Sequence, residues 1–417
     1  MGVEKYLEFK LPSGEKGYVR KASLELLERL KTLIFDCDGV LIDVSDSFRT
    51  AIIKTTNWYF AEVIGLGEAS EDLITPEETS LFKNSGGFNN DWHLTYAVIL
   101  YFVTLLLSRL NNYKEKILEF TEGNGEPESA MRRLKAFGEL CKSAGLNSGR
   151  LASMRFGDWS LRDYVKSLDV SGLPSAEERA KDKLVNHLGI SPEQASRVLE
   201  KLCMYRGTIF DFNIVKRYFE EIYSGSKVFK DVYGAEPTFY RGKGLIENER
   251  LILKEEVLET LISNLGFSRF CIASSRQRSQ TLPVLQRYRN LERYFDLESS
   301  VFLEDILAAE KALRAKGLNV KLEKPDPYCL LTVADRINPR GKLFGYVGDT
   351  VSDIIAAKRA HEESKYSVLS IGVLCSASSA ETLVEKFVSL GADVILPSPN
   401  DLSHLFTNLE MMKNEES

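Results

Sequence analysis

Residues 31–40 read KTLIFDCDGV, and the fold turns on this stretch. Thr32 to Phe35 run without polar alternation into Asp36, Cys37, Asp38 and Gly39. Such a continuous run is the pattern of a parallel strand buried on both faces. In an open α/β sheet, ligands bind beyond the carboxyl ends of the strands, which is where the two acids stand. Carboxylates at i and i+2 on an extended exit loop can face one crevice. One can attack while the other carries protons. Gly39 lets the backbone turn there without steric cost.

Upstream, residues 6–20 (YLEFKLPSGEKGYVR) predict two short strands joined by a turn at Pro12-Ser13-Gly14, which could cover a sheet edge. A helix is expected from Ser23 to Leu30. Downstream, from about Ser45 to about Glu236, helical periodicity takes over. Thr75-Pro76-Glu77-Glu78 and Ser191-Pro192-Glu193-Gln194 each offer an N-cap, a proline at the first helical position and a capping-box partner. Ser175 with Glu178 predicts a third such start. Loops are expected at Gly123-Asn124-Gly125, at Gly145 to Gly149 and at Ser171 to Pro174. The longest apolar run, Leu94 to Leu107, falls short of the roughly 20 residues needed to cross a bilayer, and predicts a buried helix. Phe239 to Ile246, with Arg241 and Lys243 between glycines, reads as a hinge.

Strands and helices then alternate. Strands are expected at Phe270–Ala273, Ser300–Leu303, Leu343–Val347, Val368–Leu374 and Asp393–Leu396, the last preceded by a helix over Glu381–Leu390. This alternation predicts an α/β fold, a Rossmann-like parallel sheet with helices on both sides. The sheet core is assigned to residues 1–44 and 245–417. A large, mostly α-helical insertion occupies 45–244, leaving the sheet just after the first acidic loop.

The totals agree with a globular chain of two or three compact units: 417 residues, 44% hydrophobic and 27% charged. A net charge of −6, from 54 basic and 60 acidic residues, leaves no electrostatic footprint for nucleic acid or an anionic membrane. Six scattered cysteines form no CxxC pair, so neither a zinc ribbon nor a redox motif is indicated. Cys37 and Cys271, in or beside apolar runs, read as reduced and buried. The N-terminus lacks the apolar core of a signal peptide. The expected compartment is the cytoplasm. No oligomeric state is written in a motif.

Four segments carry the chemistry. The first is Asp36-Cys37-Asp38. The second, Ala273-Ser274-Ser275-Arg276, puts a hydroxyl at a strand end, suited to a phosphate oxygen. The third, Lys324-Pro325-Asp326-Pro327, can fix a point charge on a phosphoryl group. The fourth is Gly348-Asp349-Thr350-Val351-Ser352-Asp353, again at a strand end. Its oxygen ligands suit a hard cation such as Mg²⁺. Each alone has a bland reading as a solvated turn or helix cap. Their joint appearance in this order does not.

In this order the four segments resemble the four motifs of the haloacid dehalogenase superfamily, over about residues 30–45 and 250–400. The resemblance implies a Mg²⁺-dependent phosphatase of small phosphorylated metabolites. It implies Asp36 as the nucleophile that forms an aspartyl-phosphate and Asp38 as general acid/base. It implies Ser274 and Lys324 as phosphate-binding groups. Asp36, Asp38 through its carbonyl, Asp349 and Asp353 would hold the metal, the last through water. Ser274 stands where many members have threonine. The insertion after the first motif would be a cap domain. Its loop Asn84 to His93 would recognise substrate through Asn89, Asn90, Asp91 and Trp92. The strings GVLIDVSDSFRTAI and GGFNNDWHLTY are similar to a subgroup whose members occur joined to a histidinol-phosphate aminotransferase. That makes histidinol phosphate a candidate, beside phosphoglycolate-type acids. A dehalogenase would not need Asp38. A phosphomutase uses the same motifs and remains an alternative. So does a non-catalytic binding protein, although that would be expected to lose motif residues.

Overall fold

The computed structural model describes residues 5–88, 90–121, 127–211, 213–287, 291–377 and 379–414. The chain divides into two compact units, residues 1–46 with 248–417, and residues 47–247.

The first unit is α/β. Its sheet is made of β1 (Tyr6–Lys10), β2 (Lys16–Arg20), β3 (Thr32–Phe35), β6 (Arg269–Ile272), β7 (Leu343–Gly348), β8 (Ser367–Val373) and β9 (Val394–Leu396), in the order β1-β2-β9-β8-β7-β3-β6. The pairs from β9 to β6 are all parallel. The N-terminal hairpin β1–β2 adds itself antiparallel to β9. It covers the edge that β9 would otherwise leave unpaired. A separate small ribbon pairs β4 (Ile42–Asp43) with β5 (Arg250–Leu251).

Apolar side chains of β3, β6, β7 and β8 meet the helix Tyr328–Ile337 and the alanine face of the helix Val351–Glu362 in one buried cluster. The helix Ala380–Leu390 buries Leu383 and Phe387 against Ile395, with Val384 and Val388 packed partly buried beside them. The expected strand at Ser300–Leu303 is reduced to a single bridge between Val301 and Ala273. Phe302 already serves as the N-cap of the helix Leu303–Ala315, its N–H held by Asp305 at 3.0 Å. A capping acid three residues on ends the strand before it can lengthen.

The second unit is helical; no strand lies between β4 and β5 among the described residues. Both capping boxes form, at Thr75 with Glu78 and at Ser191 with Gln194. Ser175 does not start a helix. That helix begins at Leu173 with Pro174 in its first turn, and the Ser175 hydroxyl donates back to the Gly172 carbonyl at 2.7 Å. The expected loop at 145–149 is cut short, because Asn147 caps a helix that starts at Ser148. Residues 123–125 lie outside the described residues.

The helix Asp91–Ser108 extends the apolar run to 18 residues, long and apolar enough to cross a membrane, but 83% of it is buried inside the protein. The segment expected as a hinge is anchored at its start. The buried Glu221 carboxylate accepts from the N–H groups of Thr238, Phe239 and Tyr240 at 2.6–3.0 Å while pairing with Arg217 at 2.8 Å.

Candidate active site

Strand order positions the chemistry. β3 lies between β7 and β6, so the loops that follow these three strands leave the sheet side by side. Asp36 continues the ladder beyond β3, its N–H bonded to the Val347 carbonyl at 2.9 Å. The chain then winds tightly, with the N–H groups of Leu41 and Ile42 both on the Cys37 carbonyl. Gly39 sits at φ +74°, and a Cβ there would overlap the Asp349 carboxylate. The glycine is therefore required twice, for its backbone and for the acid that approaches it.

Asp36, Asp349 and Asp353 each bring a carboxylate oxygen within 4.8 Å of the other two. Asp349 is the more accessible of the three, and accepts from the Ser376 hydroxyl. Asp353 is fully buried at the start of the helix Val351–Glu362. One of its oxygens accepts from Thr350 N and Oγ1 at 3.0 and 2.6 Å. The other meets Lys324 Nζ at 2.7 Å and the Tyr346 hydroxyl at 3.1 Å. With both oxygens engaged, Asp353 is suited to supporting a cation more than to ligating it directly. Gly348 makes room for it, since a Cβ there would collide with the Asp353 side chain.

Lys324 is the electrostatic centre. Its buried ammonium lies 2.7 Å from Asp36 Oδ2, 2.7 Å from Asp353 Oδ1 and 2.8 Å from the Tyr346 hydroxyl. Burial opposes its charge, but Asp353 and Asp36 outweigh that and hold it above the ordinary lysine value. Burial raises Asp36 to about 6 against the pull of Lys324. Burial also opposes charge on Asp353, yet Lys324 and Thr350 hold it below the usual carboxylate range. The donor set is all oxygen, with one accessible carboxylate, as a hard divalent cation requires.

Ser274 is buried just past β6; its Oγ accepts from Arg276 N at 3.3 Å. Asp38 departs from the triad. Its carboxylate is about a quarter exposed and pairs with Arg276 at 2.7 Å. Arg276 is also paired with the fully buried Glu249, at 2.6 Å.

The expected recognition loop lies in the helical unit. Asn89 is outside the described residues. Asn90 caps the helix Asp91–Ser108, accepting from the N–H groups of Trp92 and His93. Asp91 pairs with Lys83 at 3.1 Å. The Trp92 indole donates to the buried Glu220 at 2.6 Å, with Lys216 Nζ 3.6 Å from its ring centre. Each of these three side chains has a partner within its own unit.

Tyr346, Ser376 and Glu249 went unremarked in the sequence. Tyr346 is hidden because it reads as one more apolar residue of β7. Glu249 sits among the ordinary surface charges Glu247 and Arg250, with nothing to set it apart. Ser376 follows β8 at a strand end, and that position was its one available signal.

Residues 214–361 match the family model for haloacid dehalogenase-like hydrolases. The match contains Ser274, Lys324, Asp349 and Asp353 and stops short of Asp36 and Asp38. An X-ray structure from the Northeast Structural Genomics Consortium is similar with a TM-score of 0.60 and 18% identity, covering 92% of this chain and all of that one. A likeness at that identity is one of fold. A phosphatase from Thermococcus thioreducens gives a TM-score of 0.43 at 18% identity, covering 86% of this chain and 99% of that one. Imidazoleglycerol-phosphate dehydratase from Phytophthora nicotianae is 34% identical over 71 residues, which is 17% of this chain and 13% of that protein.

Proposed function

We propose that this chain, which matches the haloacid dehalogenase-like hydrolase model over residues 214–361, hydrolyses a small phosphomonoester, with Mg²⁺ and through an aspartyl-phosphate on Asp36. One observation carries the reading. A single buried lysine joins Asp36 to Asp353, with Asp349 close by, so the candidate nucleophile shares its site with a cation and further acids.

An Asp36 oxygen attacks phosphorus, and the bond to the ester oxygen breaks. Asp38 gives that oxygen its proton. Asp38 then takes a proton from the water that attacks the acyl phosphate, the Asp36–phosphorus bond breaks, and phosphate leaves. Lys324 and the Ser274 hydroxyl would hold phosphoryl oxygens. Asp36 and Asp349 would hold the metal with the carbonyl of Asp38, and Asp353 would support it. Bound there, Mg²⁺ neutralises charge on the transferring group, so that an anion can approach an anion.

The helical unit, residues 47–247, is proposed as the cap domain that selects the ester. Histidinol phosphate and phosphoglycolate are candidate substrates. Imidazoleglycerol phosphate joins them because a curated relative is named for it.

The test is phosphate release from a panel of these esters, sugar phosphates and nucleotides, with Mg²⁺ and with EDTA, and with Asp36→Asn as control. Release that needs the metal and vanishes in Asp36→Asn is expected. No release from any ester, by folded protein with Mg²⁺ present, would sink the hydrolase reading and favour a mutase or a binding role.

A further inference from the structure

Resting on that reading, we infer that Arg276 and Glu249 are positioning residues that aim Asp38 at the leaving group. The guanidinium is fully buried, as is the Glu249 carboxylate. Arg276 grips Glu249 through both terminal nitrogens, at 2.6 and 3.3 Å. One of these also donates to the Gln280 carbonyl at 3.1 Å. The other reaches Asp38 Oδ1 at 2.7 Å. A planar fork held at this many points cannot swivel, so the oxygen it grips is fixed in space.

The second oxygen of Asp38, Oδ2, makes no hydrogen bond or ion pair among the described residues. One oxygen anchored and one open is the arrangement a proton-transfer carboxylate needs. Burying an Arg–Glu pair seldom stabilises a fold more than apolar residues of the same size would. A pair that also grips a residue of the acidic loop therefore has a reason beyond stability. The chain brings these groups together from three places: the exit of β3, the turn after β6, and the residue just before β5.

General-acid catalysis matters only where the leaving oxygen needs a proton. The test compares kcat/KM for p-nitrophenyl phosphate, whose phenolate leaves unaided, with that for glycerol 3-phosphate, whose alkoxide does not. This ratio covers the steps through leaving-group departure, so slow hydrolysis of the aspartyl-phosphate does not enter it. The double variant Arg276→Met with Glu249→Leu removes both charges together and leaves no buried ion alone. Arg276→Lys keeps the charge without the fork and carries the test if the double variant does not fold.

The double variant is expected to lose about 10²-fold on the alkyl ester, the low end of what a general acid contributes, and about threefold or less on the aryl ester. Arg276→Lys should give the same split, smaller. Adding Asp38→Asn to the double variant should cost the alkyl ester little more, because both changes act through one group. Equal losses on both esters, or an additive Asp38→Asn effect, would assign the pair a purely structural role and overturn the inference alone. Wild-type protein that cleaves neither these esters nor any other of the panel would overturn the hydrolase reading, and this inference with it.

Discussion

The loop after β3 (DCDGV) and the loop before the helix Asp91–Ser108 (GGFNNDWH) look alike as sequence: glycine, acids and polar groups beside an apolar run. The structure treats them differently. In the second, Asn90 closes a helix end, Asp91 meets Lys83 and Trp92 meets Glu220, so each of these three is answered locally. In the first, Asp36 is drawn into a set of three carboxylates, two of them buried and paired with one lysine, where like charges are held together. A fold concentrates like charges out of water only at a cost, and sites of that kind are where chemistry is found. Composition does not separate the two loops. The balance of charge around them does.

The contrast can be broken most sharply at Asp36. Asp36→Asn should lower phosphate release by about 10⁴-fold or more while leaving the fold intact, the usual scale for losing a nucleophile. Steady-state kinetics with circular dichroism checks both halves. Lys324→Met should reduce activity and also destabilise the protein by about 3–5 kcal/mol, because it strands buried carboxylates. Urea unfolding measures that. Undiminished stability would mean that the site does not depend on its lysine.

On the helical side, Glu221→Ala should cost about 1–3 kcal/mol, since it leaves the N–H groups of Thr238, Phe239 and Tyr240 and the Arg217 Nε–H without this buried acceptor. The Asp36 chemistry should persist in whatever fraction stays folded. Acidity should act on the α/β side. Asp36 is raised to about 6 without metal, so in EDTA the folded state keeps a proton that the unfolded chain releases nearer pH 4. The stability of wild type relative to Asp36→Asn should therefore rise as the pH falls from about 6 to about 4. A flat difference would remove the burial argument for Asp36. Least of all, Asn90→Ala should cost about 1 kcal/mol as a lost helix cap and leave kcat/KM unchanged. A fall in kcat/KM would instead support the loop's expected part in substrate recognition.

Much of the α/β unit was legible because its signals are local. Thr32–Phe35 and Leu343–Gly348 are apolar runs that only a strand buried on both faces accommodates. Thr75 and Ser191 announce helices through contacts three residues away. The misreadings have equally local causes. Ser175 carried the letters of a cap, but Pro174 had already started the helix. Ser300–Leu303 was apolar enough for a strand, but Asp305 turned its end into a cap.

The sequence by itself determined the order of strands and helices, the large helical insertion, and the four polar segments at strand or loop ends. Hydrophobic period, capping residues and turn residues act within a few positions of themselves, so they can be read in one dimension. Tertiary structure alone decided which polar groups would share a site. Asp36 and Lys324 are joined by a salt bridge across 288 positions of chain, and the loops after β3 and β6 leave the sheet side by side. Asp38 faces Arg276 for the same reason, and Glu249 comes out of an unremarkable charged stretch to hold it. Electrostatic pairing falls off with distance in space and not along the chain, so only the folded arrangement could set the partners of these charges.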